Sequence, residues 1–141
     1  MATNTYKTFL MYSSAGTTYN KLIDIKETPD LGQAPDTLDT TTLSDAMKTY
    51  INDIKDTGGA LEFTANYDYA EYTTLKAMEG TTYYFSIWFG GEESDGELVP
   101  DGSLGKFTFQ GELSCWPKAA SVSAVREMGI SIAPSTEIEF A

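Results

Sequence analysis

The sequence predicts a mainly β protein: an antiparallel β-sandwich or split barrel of about seven strands with one flanking α-helix and one long loop. Three observations predict it. Two segments, 60–67 and 106–116, alternate apolar and polar side chains with the period of two that a half-buried strand requires. Thr81–Phe89 (TTYYFSIWF) is apolar on both faces, as in a strand covered on both sides. Clear helix-start signals occur in one place, after Asp68. The 141 residues suit a single domain spanning 1–141, since domains usually run to about 100 to 200 residues.

Taken in order, Tyr6–Tyr12 and Tyr19–Lys26 are β-rich runs separated by Ser13-Ser14-Ala15-Gly16, and the pair predicts a hairpin. Leu43, Met47, Tyr50, Ile51 and Ile54 recur at helical spacing and predict a short helix or a docking flap there, although Thr49, Asn52 and Asp53 are poor helix formers. After Gly58-Gly59, the strand Ala60–Tyr67 turns Leu61, Phe63, Ala65 and Tyr67 to one side and Glu62, Thr64 and Asn66 to the other. Asp68 and Glu71 have capping-box spacing, Tyr72, Leu75 and Met78 recur every third residue, and Gly80 stands where a left-handed cap belongs. This helix should cover one face of a sheet, and Thr81–Phe89 should be the central strand. Gly90–Gly105 (GGEESDGELVPDGSLG) predicts an acidic loop. Lys106–Trp116 then sets Phe107, Phe109 and Leu113 against Thr108, Gln110 and Glu112. Val122–Ile132 and Thr136–Phe140 complete the strands, the last with Glu137 and Glu139 opposite Ile138 and Phe140.

Composition excludes several kinds of chemistry. Nine Lys plus Arg against 21 Asp plus Glu give a net charge of -12, which opposes phosphate-gripping nucleic-acid binding and attachment to anionic membranes. There is no histidine, so Ser-His-Asp and Cys-His catalysis and histidine-ligated zinc are absent. The single cysteine, Cys115, has Leu113 and Trp116 nearby in sequence and reads as a core thiol. Near the N-terminus the apolar run Phe9–Tyr12 is too short for a signal sequence, so synthesis and retention in a cytoplasm are expected until the protein joins a larger structure. The carboxylates Glu92, Glu93, Asp95, Glu97 and Asp101, or Asp30, Asp36 and Asp39, match no calcium-loop spacing. No catalytic residue, metal or cofactor is expected. A hydrolase built on two carboxylates finds no supporting motif. Nine tyrosines and two tryptophans leave a carbohydrate-binding β-sandwich adhesin module as the alternative function.

The tract PDLGQAPDTLDTTTLSD, Pro29–Asp45, has four Asp, four Thr, two Pro and no Lys or Arg. It cannot bury much surface alone, so it is disordered, binds an ion, or is ordered by something outside the subunit. Together with YINDIKDTGGALEFTANYD (Tyr50–Asp68), it resembles the major tail tube proteins of long-tailed phages with non-contractile, siphophage-type tails. The family order of a "PDLG"-like segment, a "T.D.TTLSD" element, an "I.D.G" turn and an "L.FT.NYD" strand entering a helix is matched at Pro29–Gly32, Thr37–Asp45, Ile54–Gly58 and Leu61–Asp68.

The resemblance implies a non-enzymatic virion protein whose hexameric rings stack into a tube for DNA delivery to the host. It implies a single tail tube domain, without the immunoglobulin-like C-terminal domain of some relatives. In such tubes a sheet from each subunit joins a continuous inner barrel. The long loop reaches neighbouring subunits and rings. The implied inter-subunit residues are Pro29, Asp30, Leu31, Asp36, Leu38, Asp39, Leu43, Asp45, Met47, Tyr50 and Ile51. Strand parity offers Glu62, Thr64, Asn66, Thr108, Gln110, Glu112, Glu137 and Glu139 as residues lining the lumen. The implied partners are further copies of the chain, a tape measure protein in the lumen during assembly, tail tip and tail terminator proteins, and DNA that passes without specific binding; no membrane is involved. A phage-like bacteriocin or gene-transfer particle would use the same subunit.

Overall fold

The computed structural model describes residues 7–32, 37–43, 46–52, 59–120, 122 and 124–141. Among them are ten strands and one helix: β1 (Thr8–Ser13), β2 (Asn20–Ile23), β3 (Ile25–Glu27), β4 (Thr37–Asp39), β5 (Tyr50–Asn52), β6 (Leu61–Asn66), α1 (Tyr69–Met78), β7 (Thr82–Ser94), β8 (Glu97–Pro117), β9 (Glu127–Pro134) and β10 (Glu139–Phe140). The protein is mainly β, antiparallel throughout, with a single flanking helix.

The main sheet runs β2-β1-β7-β8-β9-β6-β3, with β10 also on β8. Strand β8 makes it a split barrel. Its first part pairs with β7 as far as Thr82 opposite Glu112, and its last part, Gly111–Pro117, pairs with β9. The strand therefore passes from one layer to the other at Gly111, where a Cβ would come within 2.5 Å of the Ala133 carbonyl oxygen. Corners of this kind are where glycine is needed for close backbone approach. At the opposite corner only Asp24 separates β2, which pairs with β1, from β3, which pairs with β6. One short segment thus joins both ends of the sheet.

Between the layers lies the core that the alternation predicts. Leu61, Phe63 and Ala65 from β6 meet Ile130 and Ile132 from β9, Phe109, Leu113 and Cys115 from β8, Phe85 and Ile87 from β7, and Leu10 from β1. Phe63, Phe85 and Phe109 are almost fully enclosed. Each such side chain contributes about 1.5–3 kcal/mol over an exposed one. Cys115 is a buried free thiol, pushed up in pKa mainly by that burial.

Helix α1 starts as its signals indicate. The Asp68 Oδ2 accepts from the Glu71 N–H at 3.1 Å, Leu75 and Met78 face the core, and Gly80 follows with φ 84°. The helix end also closes an edge. Beyond Glu112 strand β8 has parted from β7, and there the Glu79 Oε1 accepts from the Cys115 N–H at 3.0 Å while the Lys76 Nζ donates to the Cys115 carbonyl at 3.2 Å. Backbone groups that β7 leaves unpaired are satisfied by helix side chains.

Several expectations are corrected. The helical spacing from Leu43 to Ile54 does not produce a helix over its described part: Tyr50–Asn52 is a strand paired with Thr37–Asp39, because β-prone Tyr50 and Ile51 gain ladder partners that a poor helix sequence could not match. Ile54 lies outside the described residues. The acidic loop Gly90–Gly105 is instead an extension of β7 and β8 around Asp95-Gly96. Both turn residues have positive φ, 52° and 80°, the requirement of a type I′ hairpin turn. The strand anticipated from Val122 begins at Glu127, and that anticipated from Thr136 is confined to Glu139–Phe140. Ten strands replace about seven because Asp24 divides one anticipated strand into β2 and β3 and the three-residue strands β4 and β5 are added.

Candidate functional site

Two surfaces hold the residues singled out by the sequence. The first is an arm. Among the described residues, strands β4 and β5 form their own two-stranded ribbon, with no ladder to the main sheet. Thr40 N–H donates to the Thr49 carbonyl and Thr49 N–H to the Thr41 hydroxyl, which extend the ribbon past Asp39 and Tyr50. Cross-strand partners share a face, so Leu38 and Ile51 lie on one side and Asp39 and Tyr50 on the other. Leu38, Tyr50 and Ile51 remain 47, 54 and 55% exposed, and Leu43 and Met47 are more open still. The Asp39 carboxylate accepts from Thr41, which holds it below its ordinary pKa. An isolated two-stranded ribbon is at best marginally stable in water.

Not every residue of the tract belongs to this arm. Leu31 packs against the core of its own subunit and Pro29 is half-buried, so both stand at the root of the arm. Asp30 is exposed. Asp36 and Asp45 lie outside the described residues.

The second surface is the outer face of β3, β6, β9 and the end of β8. Here Glu62 stands in register with Ser131 and Ser114, Thr64 with Gly129 and Trp116, and Asn66 with Glu127. Glu62, Asn66 and Glu112 are exposed. Thr64 is not wet as parity predicts: it is buried, and its hydroxyl accepts from the Lys118 Nζ at 2.8 Å. Thr108 and Gln110 continue the outward face onto the β7 side of β8. Thr108 is half-buried and bonded to the Ser86 hydroxyl; Gln110 is held by Ser135 and Thr136. Glu139 pairs with Thr108 on β10, and Glu137 is exposed in the preceding turn. The candidates therefore share one parity but not one environment, because loops and long side chains cover parts of the outer face.

Sequence parity misses what shares this face with the acids. The Trp116 indole lies across Gly129, where a Cβ would come within 2.5 Å of the ring, and it stays 37% exposed. Lys26 reaches from β3 to the Glu127 carboxylate and is the main reason that Glu127 lies below the ordinary carboxylate range. Among the described residues no group of three or more acidic or cysteine side chains could hold a metal ion, and no helix is long and apolar enough to cross a membrane. No protein-family model matches the chain, and no curated protein matches it.

Proposed function

We propose that the protein is a structural, non-enzymatic virion subunit that polymerises as stacked hexameric rings into the tail tube of a non-contractile phage tail, the conduit for DNA delivery. The observation that carries the reading is the β4–β5 ribbon, whose apolar residues are exposed and whose ladder is separate from that of the main sheet. Two further features support it. Among the described residues β10 is the outermost strand beside the first part of β8, with Phe140 74% exposed, and an open edge of this kind is where another copy's strand can pair. A head-to-tail interface of that sort generates rings or helical stacks. The net charge of -12 suits a wall past which DNA moves without being held. The wall is drawn from the exposed Glu62, Asn66 and Glu112.

In this setting the protein is made in the host cytoplasm and resides in the virion tail. Its partners are further copies, a tape measure protein, and the tip and terminator proteins. Negative-stain microscopy of concentrated protein tests the reading: hollow filaments with a regular axial repeat are expected, and a monodisperse monomer at every concentration overturns it. In assembled particles, Glu62→Lys combined with Glu112→Lys should leave tubes intact and slow DNA ejection; unchanged ejection rules these residues out of the wall.

A further inference from the structure

The two ends of β8 carry opposite chemistry. At its start the β7–β8 hairpin runs past the end of β1: the Gly90 N–H donates to the Lys7 carbonyl, and beyond that point β8 is the only strand beside β7 among the described residues. From Gly90 to Leu104 the sequence has Glu92, Glu93, Asp95, Glu97 and Asp101 and no Lys or Arg. Among the described residues none of these carboxylates forms an ion pair, and Val99 and Leu104 are exposed beside them. After the other end of β8, the loop from Lys118 to Arg126 contains no acid, and Val122, 95% exposed, and Val125 stand open on it. Arg126 is exposed and forms no ion pair among the described residues. The acids closest to this loop are engaged: Glu127 with Lys26, and Asp68, which follows the Tyr67 N–H bonded to the Arg126 carbonyl, with the Glu71 N–H.

We propose that the acidic hairpin of one copy docks on the Lys118–Arg126 loop of the next, with Val99 and Leu104 against Val122 and Val125 and the hairpin carboxylates around Arg126. The inference deepens the assembly reading above, for which it supplies a contact between stacked rings, and rests on it. Charge favours a second copy as the occupant. In a protein of net charge -12, an acid-free loop with an unpaired guanidinium fits an acidic surface, and the hairpin is such a surface. Reach then excludes contact within one subunit. At about 3.3 Å per residue, Glu97–Gly111 advances on the order of 45 Å, and the stretch from Gly111 to Pro117 covers only about 20 Å, too short to return. A contact between two different surfaces at the two ends of one strand is head-to-tail, so it repeats along an axis. The apolar pairs exclude water, and the charges beside them set register. Neither the β4–β5 arm nor the face of Glu62 takes part.

Two double variants test the joint, both at exposed positions: Val122→Asp with Arg126→Glu in the loop, and Glu92→Lys with Glu97→Lys in the hairpin. Sedimentation velocity at matched concentrations reads association, and circular dichroism checks folding. Each double variant alone should stack at least about tenfold more weakly than the unaltered protein, because like charges then meet. Mixing the two at equal concentration should restore long assemblies, since each hairpin then finds a loop of opposite sign. Two results overturn the inference: double variants that stack like the unaltered protein, or defective variants that mixing does not restore. Hollow tubes formed equally well by both double variants sink the joint and leave the tube reading standing. Restored assemblies without a hollow, regular form do the opposite, and an unaltered protein that stays monomeric at every concentration overturns both.

Discussion

Glu79 shows how one side chain completes a sheet. Its carboxylate accepts from the Cys115 backbone N–H and from Lys76, and these bonds hold its pKa below the ordinary carboxylate value of 4.5, the Cys115 bond most strongly. A carboxylate with a depressed folded pKa adds stability that is fully present above its unfolded pKa and fades as pH falls through the folded value. Urea midpoints followed from pH 7 downward should therefore fall less steeply below about pH 4.5 for Glu79→Gln than for the unaltered protein. Glu79→Ala orphans the Cys115 N–H and should cost about 1–3 kcal/mol at neutral pH, read as a lower urea midpoint at unchanged slope. Gly111 makes a different demand, for space at the corner of β8. Gly111→Ala drives a methyl group against the Ala133 carbonyl and should destabilise by about 1–3 kcal/mol.

Among the elements, α1 is the one whose beginning, buried face and end can all be read from residues 68–80, because capping and helical spacing are local. Asp68→Ala removes the N-cap acceptor and should cost about 1 kcal/mol, whereas Leu75→Ala opens the core and should cost about 2–5 kcal/mol; thermal melts of the two variants separate the terms. The end of the β7–β8 hairpin was misread: Asp95-Gly96 is a type I′ turn signal, but the surrounding acids and glycines read as loop. The ribbon was less accessible. Its helical spacing is real, yet Leu38 and Ile51 pair across a gap in sequence that no local period expresses.

For the whole molecule, the arm is separable from the barrel. Deleting Pro29–Asp45 should leave a cooperatively folded monomer that no longer assembles, as measured by circular dichroism and sedimentation; assembly by the deletion variant would refute a role for the arm. Some loss of stability accompanies the deletion because Leu31 packs against the core. The barrel itself is self-contained at its two corners, through β8 and the β2–β3 segment, so the openness of the subunit resides in the arm and in β10 rather than in an incomplete core.

Local physics in the sequence determined the β class, the inward sides of β6 and β8, the helix and its caps, the buried thiol and the absence of histidine chemistry, because each depends on residues within a few positions of one another. Tertiary structure alone decided that β8 serves two layers, that Glu79 and Lys76 complete its edge, that Thr64 is covered, and that Trp116 and Lys118 share a face with Glu62. Those outcomes depend on which strand lies beside which, and a period-two pattern specifies the side of a strand but not its neighbour.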